Sequence, residues 1–121
     1  MTDSPYQDRV KAWVEACFPA SAHTDRDERT HRFLEEALEL AQASGCSRED
    51  AFSLVDYVFA RPEGEPDQET GGVLITLAAL SNINGVNMED AGERELTRNW
   101  ARIDQIRAKQ AAKPRGSALP Q

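Results

Sequence analysis

The 121-residue chain lacks several features that would place it in a membrane or outside the cell. No apolar run approaches the roughly 18–20 residues that cross a bilayer, and the first residues have neither a basic start nor an apolar stretch. Two cysteines, Cys17 and Cys46, are too few for a disulfide framework and lack CxxC spacing. We therefore expect a cytoplasmic protein that contacts no membrane and keeps both thiols free.

Basic residues are scarce over most of the chain, whose formal net charge is −7. Residues 1–93 carry 7 basic and 19 acidic side chains, whereas residues 94–121 carry 7 basic and 2 acidic ones. A nucleic-acid-binding domain is typically basic as a whole, so this balance argues against a nucleic-acid partner. It is compatible with a cation bound by the acidic body and an anion bound by the basic segment.

Strand patterns and internal repeats are also absent. Apolar residues instead recur at helical spacing between short Gly and Pro stretches, which predicts an all-α fold, a bundle of four to five helices. The length fits one domain, which we place at residues 1–113, followed by a disordered tail at 114–121. The predicted helices cover about residues 5–18, 24 or 25–44, 47–61, 67–84 and 88–112.

Helix ends and one helix core carry the clearest local signals. Ser47 and Asn87 are predicted N-caps, and Gly45 and Gly85 are predicted to end the helices before them. The helix at 67–84 is apolar nearly all round, which predicts a place at the centre of the bundle.

Three glutamates, Glu35, Glu36 and Glu39, fall within about 100° on one helix, beside its apolar side. They repel one another unless a positive group lies among them, and a divalent cation is the simplest such group. A solvated acidic face is the alternative that this spacing leaves open. Glu69, at the polar start of the apolar helix, adds a further acid. Oxygen ligands favour Mg²⁺, or Mn²⁺, over zinc or copper.

Two acidic motifs on separate helices resemble those of a known family. Residues 32–40, RFLEEALEL, and 68–74, QETGGVL, are similar to the EExxE and ExxD motifs of the MazG-like all-α nucleoside triphosphate pyrophosphohydrolases. Residues 77–91 are similar to that family's apolar helix, glycine turn and capped last helix. Residues 98–102, RNWAR, resemble its basic-Asn-x-x-Arg stretch, and the whole resemblance covers about residues 26–110.

The resemblance implies a magnesium-dependent enzyme that converts a nucleotide substrate, an NTP or dNTP, to the monophosphate and pyrophosphate. It implies that Glu36, Glu39 and Glu69 hold magnesium and that Glu35 orients or deprotonates the attacking water. It also implies a set of residues that contact the phosphates: Arg98, Asn99 and Arg102.

One departure from the family pattern is Gly72, which stands where the family has the aspartate of ExxD. Water or another acid can replace a missing magnesium ligand. Asp56, inside an apolar stretch, is the candidate for a metal ligand, with an acid at the surface or paired with an arginine as the alternative. The glycine is also compatible with lost catalysis. The second hypothesis is therefore a weak or inactive bundle that binds a nucleotide or a partner protein.

Two further expectations concern packing. The adjacent glycines Gly71 and Gly72 near a helix start predict close approach of another backbone or of a ligand. Five helices of this length also present more apolar faces than so small a core can cover, which predicts a homodimer or higher homo-oligomer.

Overall fold

A computed structural model of the protein describes residues 5–112 and 117–120. Within these ranges every regular element is a helix, so the all-α prediction is confirmed. None of the described helices is long and apolar enough to cross a bilayer. Residues 114–116 and 121 of the predicted disordered tail lie outside the described ranges. The helices are α1 (Tyr6–Cys17), α2 (Ala20–His23), α3 (Arg26–Ala43), α4 (Arg48–Phe59), α5 (Pro66–Ile83), α6 (Met88–Ala101) and α7 (Ile103–Ala112).

The described residues form seven helices where the sequence predicts four to five. One addition is α2, a single turn that follows Pro19. The other arises because the predicted helix at 88–112 divides at Arg102, whose N–H bonds to the carbonyl of Asn99 at 3.1 Å in a tighter turn. Neither proline nor glycine stands at this break, so the sequence carries no signal for it.

The predicted helix caps are confirmed. The Ser47 hydroxyl accepts the N–H of Asp50 at 3.1 Å, and the Asn87 side chain accepts the N–H of Asp90 at 2.9 Å. Each cap satisfies a backbone donor that has no partner within the helix. The helices before them end at left-handed glycines, where a side chain would strain the backbone: Gly45 (φ 96°) and Gly85 (φ 67°).

The chain divides into two compact units, which we call unit 1 (Met1–Leu34 and Gly92–Gln121) and unit 2 (Glu35–Ala91). In unit 1, α1 packs against α2 and α7. The core of this packing is Cys17, Phe18 and Ala22, with Trp13 meeting the Phe18 ring edge to face at 5.7 Å. Aromatic pairs prefer this geometry, so it adds to the stabilisation from burial.

Polar contacts also tie α1 to α6 within unit 1. The Tyr6 hydroxyl donates to the carbonyl of Gly92 at 2.7 Å. The Arg9 guanidinium binds the Glu93 carboxylate through two hydrogen bonds, at 2.7 and 2.5 Å. A bidentate pair of this kind fixes orientation as well as charge.

Unit 2, of which every residue is described, has Ser81 as its single buried residue. The prediction that the helix at 67–84 is central is therefore wrong for the single chain: Val73, Leu74 and Ile75 of α5 are exposed. The predicted helix itself is present, as α5, and its sequence is apolar on nearly all sides. The prediction failed because a helix that is apolar on all sides needs cover on all sides, and the described residues do not provide it.

Candidate metal and phosphate site

The α3 carboxylates lie on one continuous helix, as the sequence predicts. Because α3 is unbroken from Arg26 to Ala43, Glu35, Glu36 and Glu39 share one side of it. Glu35 is half-buried, whereas Glu36 and Glu39 are exposed. All three carboxylates belong to unit 2.

Glu69 lies in the first turn of α5, also in unit 2. An acid is favoured there because the positive end of the helix dipole lies at the N-terminus. Its carboxylate folds back over Gly64 in the preceding loop, where a Cβ on the glycine would lie 2.1 Å from Oε2. A side chain at position 64 would therefore displace Glu69, a constraint that the sequence did not reveal.

These acids do not form a closed metal cage. Within the described residues, no three His, Cys, Asp or Glu side chains come close enough together to hold a metal ion. Magnesium is nevertheless often bound by one or two carboxylates plus substrate phosphates and water. The all-oxygen donor set on α3 fits that mode of binding, in which the phosphates complete the coordination.

Asp56, the candidate to replace the missing aspartate, and the glycine pair Gly71–Gly72 both lie in open positions. Asp56 is exposed on α4, so the burial that made it a candidate ligand is absent, and its role stays a prediction. A Cβ added to Gly71 or Gly72 would meet no atom within 4 Å among the described residues. The close approach predicted at these glycines is therefore not found in the single chain.

The predicted phosphate-contacting residues lie at the end of α6, in unit 1. Arg98 forms an exposed ion pair with Glu95 at 3.3 Å. Arg102, at the break before α7, donates through Nη2 to the Asn99 side chain at 3.4 Å, and its buried Nε has no acceptor in the described part of the chain. An exposed ion pair such as Arg98–Glu95 contributes little to stability, so the Arg98 guanidinium can exchange it for a phosphate.

Charge is distributed very unequally between the units. Unit 2 holds 12 acidic and 2 basic side chains. Both bases stack on aromatic rings: Arg48 lies 5.4 Å from the Phe52 centroid and Arg61 lies 4.3 Å from that of Tyr57. Within the described residues, neither of them forms a salt bridge with the candidate acids.

We compared the chain with protein-family models, curated proteins and solved structures. None of them matches. The resemblance to the MazG-like enzymes therefore depends on the motifs of the sequence itself.

A basic residue outside the predicted site lies one turn before the α3 carboxylates. Arg32 places Nε 3.7 Å from the carboxylate of Glu28, which is only 4% exposed, and donates through Nη2 to the carbonyl of Ala118. The i,i+4 spacing of Glu28 and Arg32 was a usable signal. The contact with Ala118 has no such signal in the sequence, because it joins residues 86 positions apart.

Two more arginines stabilise unit 1 around the end of α1. Arg29 stacks 4.6 Å from the Phe18 ring centroid, and burial lowers the pKa of its guanidinium, partly opposed by the Glu28 carboxylate. Arg107 donates to the carbonyls of Ala16 and Cys17, the latter at 2.9 Å, and so satisfies the end of α1. These roles are structural.

A pocket of about 390 Å³ opens between the end of α1 and α7. Its lining includes Glu15, Phe18, Arg107 and Gln110 and none of the predicted site residues. Nε and Nη2 of Arg107 donate to the carbonyls at the end of α1, so this guanidinium supports the helix end as well as lining the pocket.

Proposed function

We propose that this chain is a magnesium-dependent nucleoside triphosphate pyrophosphohydrolase with the helix-bundle fold of the MazG-like enzymes. The observation that carries the proposal is the charge of unit 2. This unit contains 12 acidic and 2 basic side chains, and three of the acids share one side of α3. Carboxylates gathered in this way are stabilised by a divalent cation. The family motifs described above assign that cation to triphosphate chemistry.

In the proposed mechanism magnesium would be held by one or two of the predicted ligands Glu36, Glu39 and Glu69, with substrate phosphates and water completing its coordination. The ion, when bound, offsets the charge of the triphosphate and polarises the reacting phosphorus centre. Glu35 orients the attacking water and accepts its proton, a role that depends on position more than on intrinsic basicity. Glu35 is the half-buried member of the three α3 acids, which restricts its side chain as such a role requires.

The phosphate oxygens would be bound by donors from the end of α6. Arg98 and Arg102 supply charged N–H groups, and Asn99 supplies an amide. Each of these side chains has at most weak competing contacts, at 3.3–3.4 Å. Donors that meet charge developing in the transition state contribute more than donors that bind only the ground state.

We further propose that the protein acts as a homodimer or higher homo-oligomer. Support comes from 13 large apolar side chains of unit 2 that are 37–84% exposed. At roughly 80 Å² each they present about 1,000 Å², compared with about 800 Å² per partner in a standard interface. Phe59 and Ile83, both 84% exposed, are the extreme cases.

The test is pyrophosphate release from a panel of nucleoside triphosphates, with and without magnesium. We expect magnesium-dependent turnover that falls at least 100-fold in Glu36→Gln and in Glu39→Gln. Glu49→Gln, which removes an exposed acid from α4 in the same unit, is the matched control and should retain activity. Absence of turnover with every nucleotide would overturn the enzymatic proposal.

Gly72 supports a second candidate function, a catalytically silent bundle that binds a nucleotide or a partner protein. Nucleotide-dependent thermal stabilisation without pyrophosphate release would favour this alternative. Gly72→Asp restores the acid of ExxD at a position where a Cβ meets no described atom within 4 Å. Turnover that appears only in this variant would show that the natural glycine abolishes catalysis.

A further inference from the structure

Arg32 is the one basic residue on the acidic stripe of α3, the side that carries Glu28, Glu35, Glu36 and Glu39. With 3.6 residues per turn, these five positions fall within about 100° of one another. Arg32 precedes Glu36 by four residues, which is a rise of about 6 Å along the helix. A phosphate next to the α3 carboxylates would therefore find Arg32 as the nearest cation on the same helix.

The guanidinium of Arg32 forms an ion pair with Glu28 and a hydrogen bond with Ala118. Its Nε lies 3.7 Å from Glu28, and its Nη2 donates to the Ala118 carbonyl. That carbonyl belongs to a short segment, Ser117–Pro120, which we call the C-terminal strap. The Leu119 N–H bonds to the Ser117 hydroxyl at 3.1 Å, so the strap forms a local turn.

We propose that Arg32 is a phosphate-contacting residue of the site and that the C-terminal strap covers it until a phosphate oxygen replaces the Ala118 carbonyl. This inference rests on the proposed function and adds a residue and a regulatory segment to it. The Ala118 carbonyl is neutral, whereas a phosphate oxygen is charged, so a phosphate adds Coulomb attraction to the guanidinium and can pair with it through two parallel N–H···O bonds. The exchange therefore favours the ligand.

Glu28 has a separate part in this arrangement. It is buried, and its contact with Nε holds the guanidinium in place through the exchange. The fork of Arg32 can then present its terminal nitrogens to a phosphate, a geometry that lysine does not reproduce.

The strap is a tethered competitor, so its effect on binding should be moderate. Local concentrations of tethered segments reach the millimolar range, which is enough to compete with a ligand but not to exclude it. Removing the strap should tighten phosphate binding about threefold to tenfold. A strap that only supports the fold would instead weaken binding when it is removed.

The experiment measures binding of inorganic tripolyphosphate with magnesium by isothermal titration calorimetry, because this probe carries the phosphate chemistry without a base. The variants are a chain lacking residues 117–121, Arg32→Gln, Arg32→Lys and the combination of the truncation with Arg32→Gln. Arg26→Gln removes an exposed charge from the opposite side of α3 and is the matched control. Circular dichroism verifies that each variant is folded.

We expect the truncation to tighten binding, Arg32→Gln to weaken it about tenfold, and Arg26→Gln to leave it unchanged. Arg32→Lys, which keeps the charge and guards against loss of folding, should weaken binding less than Arg32→Gln. In the Arg32→Gln background the truncation should have no effect, because the two changes act on one contact.

Two results would overturn the inference, and they differ in meaning. If the full chain binds tripolyphosphate but neither the truncation nor Arg32→Gln changes the affinity, Arg32 and the strap have no such role and the proposed function survives. If no variant binds tripolyphosphate and the panel of nucleotides gives no turnover, the proposed function fails and this inference fails with it.

Discussion

The two units of the chain are similar in length but differ in burial and in charge. Unit 1 has 12 basic and 9 acidic side chains, whereas unit 2 has 2 and 12. Unit 2, described throughout, contains no buried hydrophobic residue, although its helices are rich in them. The buried hydrophobic residues of the described ranges all belong to unit 1: Cys17, Phe18, Ala22 and Leu96.

This difference separates a unit whose stability comes from its own contacts from one that needs external groups. In unit 1 the apolar sides of α1, α2 and α7 meet one another, and polar ties such as Arg9–Glu93 join α1 to α6. In unit 2 the exposed apolar side chains and the excess of acids are both unfavourable for an isolated chain. As proposed, a second copy of the chain would cover the exposed apolar side chains, and a divalent cation would offset part of the acidic charge.

The largest expected effect is on assembly. Phe59→Glu with Ile83→Glu places two charges on the most exposed apolar residues of unit 2. If these side chains lie in an interface, we expect association to weaken at least 1,000-fold, which is about 4 kcal/mol, since burying each contributes about 2 kcal/mol. Sedimentation velocity across a concentration series measures the change.

The matched control for assembly is Ala12→Glu, which adds a charge to an exposed position of α1 in unit 1. It should leave association unchanged. A natural protein that sediments as a monomer at micromolar concentration would contradict the proposed oligomer and leave the exposed surface of unit 2 without an explanation.

The next effect compares one leucine from each unit in the Phe59→Glu/Ile83→Glu background. Leu96→Ala removes a side chain that is 7% exposed in unit 1 and should lower the free energy of unfolding by about 3 kcal/mol. Leu74→Ala removes one that is 55% exposed in unit 2 and should cost less than about 1 kcal/mol. Urea unfolding measures both, and equal losses would show that Leu74 is covered even in the monomer.

Local features of the fold could be predicted from the sequence, but their arrangement could not. The caps at Ser47 and Asn87 and the left-handed Gly45 and Gly85 involve residues close together in the chain, so composition and spacing identify them. The place of α5 depends on what covers it, and periodicity shows that a helix is apolar without showing its partner.

The same limit applies to the candidate site. The shared side of the α3 acids follows from helical spacing, which the sequence contains in full. The contact between Arg32 and Ala118 and the approach of the Glu69 carboxylate to Gly64 depend on how loops and termini fold back. No local sequence pattern predicts the contact between Arg32 and Ala118. The approach of Glu69 to Gly64 can be predicted only when the conformation of the loop is known.

A smaller effect compares two helical glycines. In the Phe59→Glu/Ile83→Glu background, Gly72→Ala should raise the free energy of unfolding by about 1 kcal/mol, because alanine favours the helix and its Cβ meets no described atom within 4 Å. Gly92→Ala in unit 1 should gain clearly less, because its Cβ would lie 3.1 Å from the Tyr6 hydroxyl. Destabilisation by Gly72→Ala would reveal a close neighbour at position 72.

The smallest effect concerns acid stability. Hydrogen bonds from Arg9 lower the pKa of the Glu93 carboxyl, so between its folded and unfolded pKa values the unfolded chain binds more protons. The stabilisation is complete above the unfolded value of about 4.3 and is lost as pH falls through the folded value. Glu93→Gln should therefore reduce stability at pH 7 more than at pH 3, as measured by urea unfolding at both. Glu63→Gln in the loop before α5 of unit 2, whose carboxylate has no salt bridge within the described ranges, should reduce neither, and an equal loss in both variants would remove this distinction between the units.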